Sequence, residues 1–444
     1  MRNGPDVIII GGGLGGLLVA SSVAMNGGRP LVLEAASGPG GVADTIREDG
    51  YILEPAAGSF LLPHPHLTPI LDWAGAKVDP ARTEARRRYV FNHEELHELA
   101  GPQALFSKVV SRRGKIRLLA EPAIRPSAGD LDESLQTFLQ RRLGPEVGRL
   151  GATLMAHGVF AGDPTQISAR AAFPALVSLE DEAGSLLGGG LKRRRSRQKG
   201  QQRSSVHVAR NGMVGLANDL ATKLGSRFRL DWPVTHISQT GNEWLVSGPG
   251  EERAPAVVVA LAPDAASKIA PDPLRTVLAQ SISAPVAVVG LGGRSGDLPL
   301  PSGFGALIGP DSQVRALGML FESSYADGRA PRGHRLLKTI YGGAADPSVL
   351  ELADEALVEL AVEEAGQVTG VVPQPSWTRV IRHHPGIPQY NVGHGAWLGR
   401  LAVAAEEFPG LLFGGWAYQG IGLSSLAEHA TVLAGEAMSA SRDV

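Results

Sequence analysis

Residues 6–16 read DVIIIGGGLGG, and this stretch decides the fold. Val7 to Ile10 is a β-branched apolar run suited to a strand buried on both faces. Glycines follow at once, and then a small, apolar, helix-like stretch, LLVASSVAMNGG. The next strand is RPLVLEA, so strand, helix and strand fill about 30 residues, the size of a right-handed βαβ crossover. Gly11, Gly13 and Gly16 match G-x-G-x-x-G in that setting. The first allows a tight turn, the second lets backbone approach a pyrophosphate, and the third lets helix pack on strand. The start of the helix, Leu14 and Gly15, then presents free N–H groups to the anion. Glu34 closes the second strand about 20 residues on, where a carboxylate accepts hydrogen bonds from a ribose, with Ala35 beside it. A further glycine pair, Gly40 and Gly41 followed by Val42, stands in GPGGVADT just behind.

The C-terminal stretch GGWAYQGIGLSSL makes FAD the expected dinucleotide. It sets glycines before a helix that Ser424 or Ser425 is expected to cap, and a helix N-terminus stabilises the negative charge that a reduced flavin develops. Trp416, Gly422, Leu423 and Ser424 are the cofactor candidates there. No second fingerprint for a nicotinamide cofactor occurs, which points to oxygen or a quinone as electron acceptor. The stretch VAVVGLGGRSGDLPLP (286–301) also enters glycines from an apolar strand, but two prolines follow where a helix would have to open, so it is read as a loop.

Composition excludes several classes. The chain has 444 residues, 43% hydrophobic and 19% charged, with a net charge of -2, which suits a globular protein of two or three domains and gives no whole-surface attraction to nucleic acid. Cysteine is absent, which removes disulfides, thiolate ligands and a sulfur-tethered flavin. The start of the chain carries no export signal, and no stretch offers about 18 consecutive apolar residues for a membrane span. LKRRRSRQKGQQR (191–203) is basic and acid-free; it reads as a solvated mobile loop, or as a contact to anionic lipid.

HEELH at 93–97 has the spacing of a zinc protease. Its context, RRRYVFNHEELHEL, instead predicts two short strands around an NHEE turn. Two histidines four residues apart on one strand would stand ~13 Å from each other, too far to share a metal. No metal site is expected.

The expected class is α/β: a Rossmann-like FAD domain with a mixed-sheet substrate domain and an inserted helical domain. The divisions are 1–85, FAD-binding; 86–203, largely helical, with Asp130 or Asp132 capping DESLQTFLQRRLG; 204–265, FAD-binding; 266–377, substrate domain; and 378–444, FAD-binding.

These motifs, together with RRRYV, ESLQTFLQRRLG, GVFAGDPTQIS, GFGALI, GIPQYNVGH and AYQGIGL, resemble the protoporphyrinogen and coproporphyrinogen oxidases over nearly the whole chain. GVFAGDP and IPQYNVGH are the specific ones. The resemblance implies an amine-oxidase-like fold, in which a porphyrinogen in heme biosynthesis loses six electrons to FAD and oxygen, giving porphyrin and hydrogen peroxide. Flavin N5 would take the hydride, so no side-chain nucleophile is required. It further implies that Arg88 pairs with a substrate propionate, that Gly158 flanks the macrocycle, and that Leu307, Leu320 and Ile340 wall the pyrrole rings; Val234 is placed against the cofactor. The implied location is cytoplasmic, with a peripheral contact to the inner face of the cell membrane; a homodimer is one assembly left open. The chain departs from the family pattern at Gly38, where many members have arginine, at Gly58, where many have asparagine, and at Trp416, Ser424 and Ser425. Those departures keep two alternatives open: a flavin oxidase of the same fold with another substrate, and a homologue that binds flavin or tetrapyrrole without turnover.

Overall fold

The computed structural model describes residues 4–99, 108–127, 132–196 and 203–442. Its centre is a five-stranded parallel sheet in the order Phe228–Arg229, Pro30–Leu33, Val7–Ile10, Ala256–Val259, Leu411–Phe413. The chain therefore returns to this sheet three times. Val7 to Ile10 are at most 2% exposed, which stabilises by about 1.5–3 kcal/mol for each large side chain. Strands so fully buried need cover on both faces. Leu14–Met25, Gly212–Leu224 and Leu423–Arg442 cover one side. The three-stranded meander over His236–Ala254 with the helices Pro263–Ile269, Leu274–Leu278 and His394–Ala405 covers the other. Strand Val7–Ile10 pairs with Pro30–Leu33 on one edge and Ala256–Val259 on the other, so the connection reverses direction at its carboxyl end. Open sheets bind ligands at such a reversal.

A second sheet has seven strands, in the order Trp377–Pro388, Ser283–Arg294, His334–Gly342, Gly318–Leu320, Gly305–Ile308, Arg88–Asn92, Glu95–Glu98. Ala306, Ile308, Met319, Leu337 and Tyr341 point to one face and are buried beneath helix Asp354–Thr369. By alternation Leu307, Leu320 and Ile340 point to the other face. Helices Leu135–Leu143, Pro145–Phe160, Pro174–Ala183 and Leu186–Ser196 form a third unit around Phe138, Ala156 and Phe160. Among the described residues no helix is long and apolar enough to cross a membrane.

Several local expectations are corrected by the fold. Residues 88–98 form a hairpin that joins the seven-stranded sheet, so the segment 86–203 starts as part of the substrate sheet, and 377–388 likewise extends that sheet past the expected boundary. The stretch 286–301 is loop only from Ser295 on: through Arg294 it is the long strand Ser283–Arg294, whose glycines let neighbours close in. A Cβ at Gly292 would stand 2.7 Å from the Tyr51 ring, and one at Gly290 2.8 Å from Leu53. Ser134, not Asp132, caps helix Leu135–Leu143 by accepting from Thr137 N, while Asp132 accepts from the Gly393 N–H at 2.7 Å; Asp130 lies outside the described residues. Leu191 to Ser196 continue a helix, and Arg193 there bonds Glu182 and Ser178; the rest of the basic run, 197–202, lies outside the described residues. HEELH turns at His93 and Glu94, both at positive φ, with His97 on the returning strand, which is the hairpin its neighbours predict.

Candidate active site

The glycine turn is built as its spacing predicts. Gly11 has φ +106°, a left-handed value, and a Cβ there would meet the Ala260 carbonyl at 2.8 Å. A Cβ at Gly16 would stand 2.0 Å from the Gly11 carbonyl oxygen, so only glycine lets the helix come down on the strand. Gly13 precedes helix Leu14–Met25 with extended backbone and no side-chain cap, which leaves the first-turn N–H groups facing outward. Gly40 bonds back to the Gly12 carbonyl at 2.9 Å, and Gly41 would bring a Cβ within 3.3 Å of Gly13 Cα. Two chains of bare backbone thus share one shallow cradle. Its shape and its free donors fit a dinucleotide pyrophosphate.

Glu34 stands at the rim, half-buried. Its carboxylate accepts from the Gly12 and Ala36 N–H groups, the latter at 2.8 Å. A carboxylate has about four lone-pair sites, so capacity remains for a ribose hydroxyl. Ala35 is exposed beside it, and the Trp232 N–H donates to the Glu34 carbonyl at 2.8 Å, which carries Val234 to the same edge. Val42 is 48% exposed, a large apolar side chain held in the open behind the glycine pair. A Cβ at Gly38 would meet nothing within 4 Å, so the backbone there does not itself require glycine.

The C-terminal turn closes on the cradle. A Cβ at Gly15 would stand 3.5 Å from Gly415 Cα, and Gly415 itself sits at φ +120°. Helix Leu423–Arg442 begins at Leu423, so Ser424 and Ser425 lie inside its first turn rather than before it. The expected cap is therefore corrected: the Ser424 hydroxyl instead donates to the Leu61 carbonyl at 3.4 Å. Ser425 packs against Gly420, and Gly422 is exposed. Trp416 is half-buried and its carbonyl accepts from Tyr390 Oη at 2.6 Å. The bond ties IPQYNVGH to the residue just before AYQGIGL. Tyr390 in turn lies against Phe160, the Gln389 amide donates to the Phe160 carbonyl at 2.8 Å, and the Ala344 N–H donates to the Ala161 carbonyl. GVFAGDP and IPQYNVGH therefore form one joint, where the helical unit, the large sheet and the glycine cradle meet.

Above that joint the second sheet turns its open face. Leu307, Leu320 and Ile340 are half-buried, whereas Ala306, Ile308 and Met319 on the reverse are buried. Gly158, exposed on helix Pro145–Phe160, faces this row: a Cβ there would touch the Leu307 methyls at 3.2 and 3.3 Å. Arg88 is register partner of Gly305 at the end of the row; it is exposed, and its guanidinium lies 4.8 Å from the centre of the Phe304 ring. All five residues expected at a substrate surface thus share one sheet face and its facing helix.

Sequence reading missed a buried polar group on the same side of the sheet, beneath the segment Glu54–Gly58. Glu54, Glu322, Arg329, Lys338 and Tyr325 are each at most 3% exposed. Arg329 donates to Glu54 at 2.6 Å, Tyr325 Oη donates to Glu322 at 2.7 Å, and Lys338 Nζ lies 3.0 Å from Glu322. Burial opposes ionisation of Glu322, but Lys338 and Arg329 outweigh it and hold the carboxyl below the usual range. No motif marks these residues, because they come from 54, 322–329 and 338 and meet only in the fold. Buried charge in a strand that otherwise reads LL-TIY was the one available signal.

Comparison with known proteins agrees with the geometry. The family model described as "Flavin containing amine oxidoreductase" matches residues 14–423. The chloroplastic protoporphyrinogen oxidase of Nicotiana tabacum is 30% identical, over 97% of this chain and 85% of its own length. Coproporphyrinogen III oxidase of Bacillus subtilis (strain 168) is 26% identical, over 97% of each. A crystal structure of an Exiguobacterium sp. 255-15 protein superposes with a TM-score of 0.82 at 22% identity, over 100% of both chains. The chain belongs to the flavin-containing amine oxidoreductase family, in the company of protoporphyrinogen and coproporphyrinogen oxidases, and is an FAD-dependent oxidoreductase.

Proposed function

We propose that this protein oxidises a porphyrinogen, protoporphyrinogen IX or coproporphyrinogen III, to the porphyrin, with molecular oxygen as electron acceptor. The observation that carries the reading is the half-open apolar row Leu307, Leu320 and Ile340, faced by Gly158 and ended by Arg88. A flat tetrapyrrole needs broad apolar walls and a cation for its carboxylates. Arg88 suits the second task because a guanidinium fork bonds a carboxylate twice. Gly158 suits the first because, bare of side chain, it lets helix Pro145–Phe160 close on Leu307 and continue the apolar wall. Bound FAD would supply a ring that accepts two electrons and a proton at a time. The cradle formed by Gly11, Gly13, Leu14, Gly15, Gly16, Gly40 and Gly41 would hold its pyrophosphate, and Glu34 its ribose. The chain then excludes water and orients the substrate, and this chemistry requires no side-chain nucleophile.

The test is aerobic turnover by FAD-reconstituted protein. Red porphyrin fluorescence should rise faster than in the enzyme-free control with one of the two porphyrinogens, with three peroxides formed per porphyrin. A flavin-loaded protein with no rate above autoxidation on either substrate removes this reading.

We further propose a peripheral contact with the cytoplasmic face of a membrane, through helix Arg112–Leu119. Ile116 and Leu119 are 69% and 71% exposed, and Arg112 and Arg113 are exposed in the same short helix. Apolar side chains beside basic ones suit an anionic interface, at about 1 kcal/mol for each cation near it. Co-sedimentation with anionic vesicles should fall on Ile116→Glu/Leu119→Glu; equal pelleting of both proteins removes the contact.

A further inference from the structure

Lys338 is out of place by its pattern. It is the register partner of Leu320 and stands two residues before Ile340, so it belongs to the apolar substrate face, yet it is 1% exposed. It is buried because its side chain turns under the segment Glu54–Gly58. Nζ donates to the carbonyls of Glu54 and Ala56, each at 3.0 Å, and makes its ion pair with Glu322. The two carboxylates of Glu54 and Glu322 are balanced by the two cations Arg329 and Lys338, which is how four buried charges persist in one place. The Glu54 carboxylate also takes Thr45 Oγ1 at 2.9 Å and the Met213 N–H at 3.2 Å. Thr45 stands at the end of the loop that starts with Gly40 and Gly41, so a hydrogen bond ties that loop to the buried group. The same segment carries Gly58, where a Cβ would press on Glu54 Cγ at 3.0 Å and where Arg329 reaches the carbonyl at 3.5 Å.

We propose that Lys338 and Glu322 are a positioning pair: they hold Glu54–Gly58 against the substrate face and so set how deep a flat substrate lies between that face and the flavin cradle. The pair touches neither ligand; it acts through the two carbonyls it fixes. The proposal rests on the substrate reading given above, and its test separates the two.

The informative variant is Lys338→Met/Glu322→Gln, which removes one charge of each sign and so leaves Glu54 and Arg329 paired. It should fold and bind FAD at wild-type stoichiometry. Its Glu54 and Ala56 carbonyls lose their donor. Hydrogen exchange at the amides of Glu54 and of residues 56–60 should then quicken by on the order of tenfold or more, the loss of a charged donor. Affinity for the porphyrin product, read by tryptophan quenching, and kcat should fall by a similar factor, and Lys338→Arg, which keeps the donors, should recover most of both. Unchanged exchange at 54–60 overturns the proposal whatever the activity. Faster exchange with wild-type porphyrin affinity and kcat overturns it too, since the segment would then move without consequence. If the wild-type protein neither binds porphyrin nor turns over a porphyrinogen, the substrate reading fails, and the exchange at 54–60 still reports on the clamp.

Discussion

Gly158 offers the cleanest separation of stability from binding. It is exposed, lies within helix Pro145–Phe160, and has no positive φ, so alanine there gains about 1 kcal/mol of helix propensity. The new methyl would meet Leu307 at 3.2 Å, tighter than ordinary contact, but it meets the ends of a half-buried side chain that can turn aside. Gly158→Ala should therefore raise Tm by about 1–2 °C in a chain of this length. Gly158→Leu adds a branched group that has no room against Leu307 and must project along the apolar row, into space a macrocycle would use. A misfit of one methylene in an apolar pocket is worth about 1–3 kcal/mol, so KM should rise by about 10–200-fold. The assay pairs thermal unfolding and flavin content with steady-state porphyrin fluorescence. If Gly158→Leu keeps its FAD and its wild-type KM, the wall that Gly158 and Leu307 form together is not where substrate lies.

Arg88→Ala should weaken substrate binding by about 10–150-fold, from a charged hydrogen bond of about 1.5–3 kcal/mol, at unchanged flavin content, with Arg88→Lys between the two; an equal loss of flavin would point to misfolding. Gly16→Ala should abolish flavin binding, because its Cβ would stand 2.0 Å from the Gly11 carbonyl and backbone cannot yield there; absorbance at the flavin band against protein settles it. Burial lowers the pKa of His157, His394 and His429 below the ordinary 6.5. The unfolded chain then binds more protons in mildly acid solution, so stability should hold above pH 6.5 and fall as pH drops below it. Melting temperatures from pH 8 to pH 5 that stay flat while His157→Gln/His394→Gln/His429→Gln behaves identically would refute that assignment.

Much of the cofactor site was legible because its chemistry is local. The turn from Val7 to Gly16 fits only a strand and a helix that meet at bare backbone, and each glycine has a steric reason that its spacing already implies. Glu34 was legible for the same reason, as the end of the adjacent strand. The glycines of Ser283–Arg294 misled because glycine in a strand and glycine in a loop look alike until the neighbour that needs the space, here Tyr51 and Trp377, is known. Ser424 misled because a serine near a helix start has the composition of a cap whether or not it precedes the first turn. Leu307, Leu320 and Ile340 came from the family likeness; alone, each has the pattern of ordinary core.

By itself, then, the sequence determined a βαβ unit with a bare glycine turn and an acid at the end of its second strand, since hydrophobic period, glycine spacing and one acid act over a few residues of chain. Only the tertiary structure decided which face of the seven-stranded sheet stays open and how Glu54, Glu322, Arg329 and Lys338 neutralise one another beside it. Strand pairing joins residues more than two hundred positions apart, and a buried charge is tolerable only beside a partner whose place no local pattern encodes.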